Sequence, residues 1–303
     1  MLGLKFYLSN PKILLSRIII YIDQHYFDIP DKLYISCFHR YHIHKKLNWD
    51  NPQGYCEKLN WLKLNDRNPL YTTLVDKIEV KKYVAKIIGE EYVIPTIAVY
   101  NSPSDISWNE LPQKFAIKCN HDSGSCIVCH NKESLNKKDV ERWLQYKISK
   151  NWYKMAREWA YKGVQKRILV EELMNDPSGD IKDYKFFCFD GVVKALYIVS
   201  NRQNPDIKTT SDFFDENFNR IPVKCHFENS ETLPVKPQNF ELMNELCSKL
   251  SKGIPHVRID FYEANGKVYF GEYTFYTFGA EDSLYPEKYE LLFGSWIKID
   301  QLS

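Results

Sequence analysis

Nowhere in these 303 residues is there an apolar run long enough to cross a bilayer. The one candidate, Ile13–Ile22, is short and is interrupted by Arg17. No secretory signal is legible. The expectation is therefore a cytoplasmic protein, free or resting at the inner face of the membrane, with its eight cysteines reduced. Strong charge of either sign is missing too: a net charge of +2 gives no whole-protein field to attract nucleic acid. There is no internal repeat, no low-complexity linker, and no Ser/His/Asp or Cys/His arrangement that would make a nucleophile. Cys126 and Cys129 form a C-x-x-C with Cys119 and His121 nearby, but the intervening Ile-Val reads as a strand. Residues three apart on a strand face opposite sides, so buried strand thiols are expected there and not zinc. What remains is one large domain or two to three small ones, aromatic enough at 15% to be β-rich.

The most informative stretch is His256–Gly279, HVRIDFYEANGKVYFGEYTFYTFG. Val257–Tyr262 and Lys267–Phe275 are rich in β-branched and aromatic residues, and Asn265-Gly266 between them is a hairpin signal. Arg258 and Asp260 share one strand face, and Glu272 and Thr274 share another. A loop with an odd number of residues, Ala264–Gly266, would put both pairs on one side of the hairpin. That side would hold a guanidinium, two carboxylates and a hydroxyl, the oxygen-rich set that suits Mg²⁺ completed by a nucleotide phosphate. Taken alone, such a face also reads as an exposed, solvated one.

Before it, Leu2–Asp23 reads as an amphipathic helix packing through Leu14, Leu15, Ile18 and Ile22, with a membrane-surface helix as the alternative. Phe38–Lys46 gathers His39, His42 and His44 with Arg40, Lys45 and Lys46. It reads as a solvated basic surface or as a contact for an anionic substrate or membrane. Helices are expected at Tyr55–Leu64, Ile78–Ile88, Asp139–Tyr161 and Asn239–Lys252. Strands are expected at Tyr92–Tyr100, Phe115–Lys118, Cys126–Cys129, Ile168–Met174, Tyr184–Phe189 and Val192–Val199, and Phe213–Val223 is strand or loop. Turns are expected at Asn175–Gly179 and Asp190-Gly191, and the last hairpin strand leads to Asn201-Arg202. The loop Asn120–Ser125 offers small residues, backbone N–H groups and hydroxyls to phosphate, although an ordinary hairpin loop would look the same. Lys118 ends an apolar strand, where burial is costly unless an anion meets it. The fold class is α+β.

Taken in order, these pieces resemble an ATP-grasp enzyme, with two α+β subdomains clasping ATP. The resemblance implies that Lys77 and Lys118 bind the nucleotide and that Ser123, Gly124 and Ser125 belong to a loop covering its phosphates. It implies that Glu171, Glu172 and Leu173 form the hinge along adenine and that Lys185 adds a polar group to the pocket. Arg258-Ile259-Asp260 followed by Glu272 is similar to the Arg-x-Asp … Glu-x-Asn pattern of the ligases, with Thr274 in place of the Asn. By that comparison Asp260, Glu272 and Thr274 hold Mg²⁺ and Arg258 faces the transferring phosphate, both acids lying in an accessible cleft. Tyr55–Leu64, Leu74–Lys77 and Phe270–Tyr276 narrow the resemblance to the teichuronopeptide-biosynthesis (TupA-like) ATP-grasp family, whose members accompany surface-polysaccharide gene products in bacteria. The implied activity is an ATP- and Mg²⁺-dependent ligase joining a carboxylate, a uronic acid by family context, to an amino acid or amine. The implied layout is an N-terminal helical, substrate-side region over 1–70, a subdomain with the phosphate loop and hinge over 71–175, and one with the metal hairpin over 176–303. The implied partners are a carboxylate-bearing sugar or polysaccharide intermediate and an amine, with no nucleic acid and with contact to the membrane or to assembly proteins left open. A glycosyltransferase of the same process, or a non-catalytic ATP-binding scaffold, are the other readings.

Overall fold

The computed structural model describes residues 9–174, 181–201 and 208–300. The start of the first expected helix, the turn expected at Asn175–Gly179 and residue Arg202 lie outside them. Two antiparallel sheets carry the α+β architecture. The first joins β1 (Thr96–Tyr100), β2 (Phe115–Cys119), β3 (Ile127–Cys129) and β4 (Ile168–Glu172) in the order β1-β4-β2-β3. β1 begins only at Thr96, because Pro95 has no N–H to give a ladder. Phe115, Ile117 and Cys119 alternate inward along β2. They close a core with Ile168 and Val170 of β4 and with Val140 and Leu144 of α6 (Lys137–Ser149). The single helix expected over Asp139–Tyr161 is broken after Ser149. Asn151 starts a separate α7 (Trp152–Ala156) by accepting the Lys154 N–H on its side chain.

The second sheet runs β10-β9-β5-β6-β7-β8, built from β5 (Lys182–Phe189), β6 (Val192–Ser200), β7 (Thr210–Phe214), β8 (Arg220–Ile221), β9 (Val257–Ala264) and β10 (Lys267–Thr274). Val257, Ile259 and Phe261 of β9 are buried, as are Phe240, Met243, Leu246 and Leu250 of α8 (Phe240–Leu250). Those four helix residues recur at helical spacing, one stripe against the sheet. Phe186 meets Phe240 across this interface, with ring centroids 6.1 Å apart.

The helices before β1 are α1 (Pro11–His25), α2 (Asp31–Ile43), α3 (Tyr55–Asn65), α4 (Leu70–Val75) and α5 (Glu79–Ile88). α1 turns a different side inward from the one its apolar residues suggest. Ile13, Ser16 and Asp23 are buried while Leu15 and Ile18 are exposed. An ion pair sets the rotation: the buried Arg157 guanidinium donates to Asp23 Oδ1 at 2.5 Å and to Asp31 Oδ1 at 3.1 Å, and lies 4.0 Å from the Tyr34 ring centroid. Two charges that attract across a water-poor contact outweigh one exposed Leu and one exposed Ile. The expected basic surface at Phe38–Lys46 is corrected in part. His39 is buried against Asn60, with Asn60 Nδ2 3.2 Å from His39 Nδ1, and only His44, Lys45 and Lys46 at its C-terminal end are exposed. Among the described residues no helix is long and apolar enough to cross a membrane.

α3 is fixed from behind by α9 (Glu287–Trp296). Glu290 accepts the Cys56 N–H at 2.6 Å and the Leu284 N–H at 3.0 Å, so it caps α3 from another helix. The helices approach so closely that a Cβ on Gly294 would stand 2.1 Å from the Gln53 carbonyl oxygen and 2.9 Å from the Tyr55 nitrogen. Backbone cannot yield as a side-chain tip can. Gly294→Ala is expected to destabilise the fold by about 1–3 kcal/mol or more, seen as a lower melting temperature, and an unchanged melting temperature would show that this contact is not tight.

Candidate active site

The hairpin closes with a two-residue turn, not the three-residue loop expected. Asn265 and Gly266 both take positive φ, 51° and 70°, and Ala264 pairs with Lys267. This is the left-handed pair that Asn-Gly accommodates readily. Such a turn alone would put Glu272 on the wrong face. The offset is restored further along, where the register shifts between Phe270 and Glu272, with Gly271 as the extra residue. A Cβ there would lie 3.0 Å from the Asp260 carbonyl oxygen and 3.0 Å from the Tyr262 ring, so the bulge has little room for a side chain. Beyond it Glu272 stands opposite Asp260 and Thr274 opposite Arg258, while on the other flank Lys185 of β5 pairs with Asp260.

One row across three strands thus reads Lys185, Asp260, Glu272. Arg258 donates to Asp260 through Nε and Nη2, both at 2.7 Å, and Nη2 also donates to Thr274 Oγ1 at 3.0 Å and to Glu272 Oε1 at 3.3 Å. Lys185 Nζ donates to Asp260 Oδ2 at 2.6 Å and also bonds Asp183. The expectation that both acids face an accessible cleft is corrected for Asp260, which is 1% exposed, whereas the Glu272 side chain is 31% exposed. Burial alone would raise the Asp260 carboxyl, but Arg258 and Lys185 outweigh it and hold the pKa low. Burial dominates at Asp183 and raises its pKa, and among the described residues its enclosed Oδ1 has no hydrogen-bond partner.

The first sheet brings a second set of charges toward this row. Lys77 Nζ donates to the Asp122 carbonyl at 2.6 Å and lies 3.7 Å from Glu272 Oε2, so it ties the loop after β2 to the hairpin. Lys118 finds its anion inside the chain: Glu171 on the neighbouring β4 pairs with it and, through its other oxygen, with Lys81 Nζ at 2.6 Å. Burial pulls the Lys118 ammonium down and the Glu171 carboxylate more than restores it, so its pKa is raised. Two ammonium groups on one carboxylate leave a net positive charge. Lys81 carried no signal in the sequence beyond one lysine on an amphipathic helix.

In the loop, Ser123 and Gly124 are exposed, and Gly124 takes φ 75°. Lys147 of α6 donates to the Ser123 carbonyl at 3.0 Å and lies 3.3 Å from Asp122 Oδ2. Ser125 is turned inward, donating to Asp122 Oδ1 at 2.5 Å and accepting the Cys119 N–H at 2.9 Å. Its hydroxyl braces the loop from within. Cys126 is exposed and Cys129 buried, so the expectation of two buried thiols holds only for the second. At the end of β4 a cavity of about 230 Å³ is lined by Ile94, Pro95, Glu172, Leu173 and Met174 on one side and by Ala264, Asn265 and Tyr269 on the other. Glu172 and Leu173 line it, whereas Glu171 faces the two lysines. A larger cavity of about 430 Å³, around Phe189, Lys194 and Trp296, holds none of these groups.

The arrangement is a cleft between two sheets, with the smaller cavity at the end of β4 and the clustered charges further along. It has cations on both walls and oxygen donors from Asp260, Glu272 and Thr274. Two carboxylates and a hydroxyl on one face fit Mg²⁺, which takes one or two protein carboxylates and completes its shell with phosphate and water. Among curated proteins none matches the sequence significantly. Three solved structures are among those to which the chain is similar. The ATP-grasp ligase PsnB with a minimal precursor is 10% identical, with a TM-score of 0.40 over 69% of this chain and 55% of that one. The D-alanine–D-alanine ligase of Bacillus anthracis with ATP is 13% identical, with a TM-score of 0.38 over 67% and 53%. The D-cycloserine synthetase DcsG is 16% identical, with a TM-score of 0.41 over 78% and 72%. The chain thus spans a little over half the length of the first two. The family described as TupA-like ATP-grasp matches residues 57–298. The chain belongs to the TupA-like ATP-grasp family.

Proposed function

We propose that this chain is an ATP-dependent carboxylate–amine ligase of surface-polysaccharide biosynthesis, acting in the cytoplasm. A uronic acid is activated as its acyl phosphate and then joined to an amino acid or simple amine. The observation that carries this reading is the face on which one guanidinium, Arg258, bonds Asp260, Glu272 and Thr274, with Lys185 on the same carboxylate and Lys77 reaching Glu272. Charges this buried contribute little net stability, since apolar side chains of similar volume would hold the sheet as well. Their use is electrostatic.

Each residue has a task within this reading. The cavity beside Glu172 and Leu173 takes the adenine. Lys118, held forward by Glu171, and Lys77, held by the loop carbonyl of Asp122, neutralise the phosphates. Ser123 and Gly124 cover them with backbone N–H groups. Mg²⁺, when bound by Asp260, Glu272 and Thr274, supplies charge neutralisation and alignment of the phosphates. Arg258 lies beside these groups, where it meets the transferring phosphoryl group and then the oxyanion formed as the amine attacks. Phosphoryl transfer asks for positioning and charge, not for a protein nucleophile, which fits a chain without one. The parts divide as 1–70 for the acceptor side, 71–175 for the nucleotide's cover and 176–303 for the metal face.

ADP release measured against uronic acids crossed with amino acids and amines is expected to require one member of each class. Thermal stabilisation by a sugar nucleotide and none by ATP–Mg²⁺ would overturn the reading in favour of a glycosyltransferase. Lys118→Ala should weaken ATP binding strongly, leaving Glu171 with Lys81 alone. Glu272→Ala should abolish turnover by orders of magnitude with near-native melting, because the side chain is partly exposed. Asp260→Asn should lose turnover and also melt lower, because Arg258 and Lys185 lose a buried partner, a change that costs about 3–5 kcal/mol in other proteins. Arg258→Met should keep ATP affinity and lose turnover. Near wild-type product formation by that variant would remove Arg258 from the chemistry.

A further inference from the structure

The ligase reading needs a group to take the proton of the acceptor amine, since an ammonium ion has no lone pair with which to attack. Beside the charged face lies a carboxylate with no direct hydrogen-bond or salt-bridge partner among the described residues. Glu158 follows α7 and is 9% exposed, and among the described residues its side chain has no hydrogen bond and no ion pair. Its counterpart is equally bare of ionic partners. Lys63 of α3 is 1% exposed and donates only to Asn60 Oδ1 at 2.9 Å and the Gly279 carbonyl at 2.6 Å, with no carboxylate among the described residues within ion-pair distance. Both converge on the connection that leaves β10: a Cβ on Gly279 would lie 3.9 Å from Glu158 Oε1. That connection holds three successive residues at positive φ, Phe278, Gly279 and Ala280, two of them non-glycine. Strain of this kind is kept where surroundings enforce it, commonly at functional sites.

The placement of Glu158 is enforced from behind. Arg157, with φ 55°, is locked by Asp23 of α1 and Asp31 of α2, so the N-terminal helices determine where the next side chain points. An acid this largely buried, with a nearby ammonium but no direct hydrogen bond, is incompletely satisfied, and a cationic ligand would complete it.

We propose that Glu158 receives the ammonium group of the acceptor amine and acts as the base that frees its lone pair. The inference rests on the ligase reading and adds to it the acceptor subsite, walled by the N-terminal helices and selective for a protonated primary amine. The ammonium gives one proton to the Glu158 carboxylate, and the neutral nitrogen attacks the acyl carbon. The carbon–oxygen bond to phosphate then breaks, phosphate leaves with the electron pair, and the second nitrogen proton leaves with it. Glu158 afterwards loses its proton to water.

The surroundings tune the carboxylate for this work. Burial lifts its pKa to about 7; Lys63 from α3 and Arg258 from β9 lower it, and Glu281 from the connection after β10 and Glu272 of β10 raise it. Tyr161, on the same connection as Glu158, also faces it. A base is useful once ionised, so amine transfer should rise as pH increases through about 7.

The test compares two acceptors on one acyl phosphate. The wild type and Glu158→Gln are supplied with ATP–Mg²⁺, D-glucuronic or D-galacturonic acid, and either glycine, which is an ammonium at neutral pH, or hydroxylamine, which is already uncharged. In the variant the ratio of amide to hydroxamate is expected to fall about 10²–10⁴-fold, and the inflection near pH 7 should vanish from glycine transfer. Glu158→Asp, which keeps a carboxylate, should recover part of both. An unchanged ratio, or amide and hydroxamate falling together while melting stays native-like, overturns the assignment of Glu158 and leaves the ligase reading standing. A wild type that releases no ADP with any carboxylate overturns the ligase reading, and this inference with it.

Discussion

On β9, beside the edge strand of the second sheet, one carboxylate, that of Asp260, is held by two cations where almost no water reaches. Arg258 grips both of its oxygens and Lys185 one of them, from the same strand and from the neighbouring one. Removing any member would leave the remaining buried charges less well compensated, at a cost in stability. Much else in the chain serves to hold this group. α8 packs on β5 and β6 with Phe240, Met243 and Leu246 buried, and Val257, Ile259 and Phe261 of β9 are buried in the same core, while Arg258 and Asp260 alternate to the other face. The bulge at Gly271 brings Glu272 to the same row, and Lys77 connects that row to the loop of the other sheet.

The helical region before the first sheet has a part in the same arrangement. Its polar contacts, Asp23 with Arg157 and Asn60 with Lys63, are buried where apolar packing would have been simpler, and Asp31 joins Arg157 from a half-buried position. They set the direction of side chains at the edge of the charged face. The exposed Leu15 and Ile18 are the consequence, since one helix cannot turn both its acid and its apolar stripe inward.

The fold was largely legible from the residues, for local reasons. Asn265-Gly266 permits the left-handed turn it occupies, and strand alternation put Arg258 with Asp260 and Glu272 with Thr274 without reference to anything distant. Inside α3, Asn60 and Lys63 interrupt a buried stripe that includes Leu59 and Leu62. A polar pair three residues apart in such a stripe is a readable sign of an internal contact, though it names no partner.

By itself the sequence determined most of the strands, the hairpin and which charged residues share a strand face. The tertiary structure decided how those faces combine. Cross-strand register depends on where an extra residue is accommodated, and the shift at Gly271, not the length of the turn, aligns Glu272 with Asp260. Charge pairing is likewise not local. Lys118 and Glu171 are distant in the chain and meet because β2 and β4 are neighbours, and Arg157 meets Asp23 only once the helices pack. Alternation is a property of one strand, whereas a Coulomb interaction depends on distances that exist only after the chain has closed on itself.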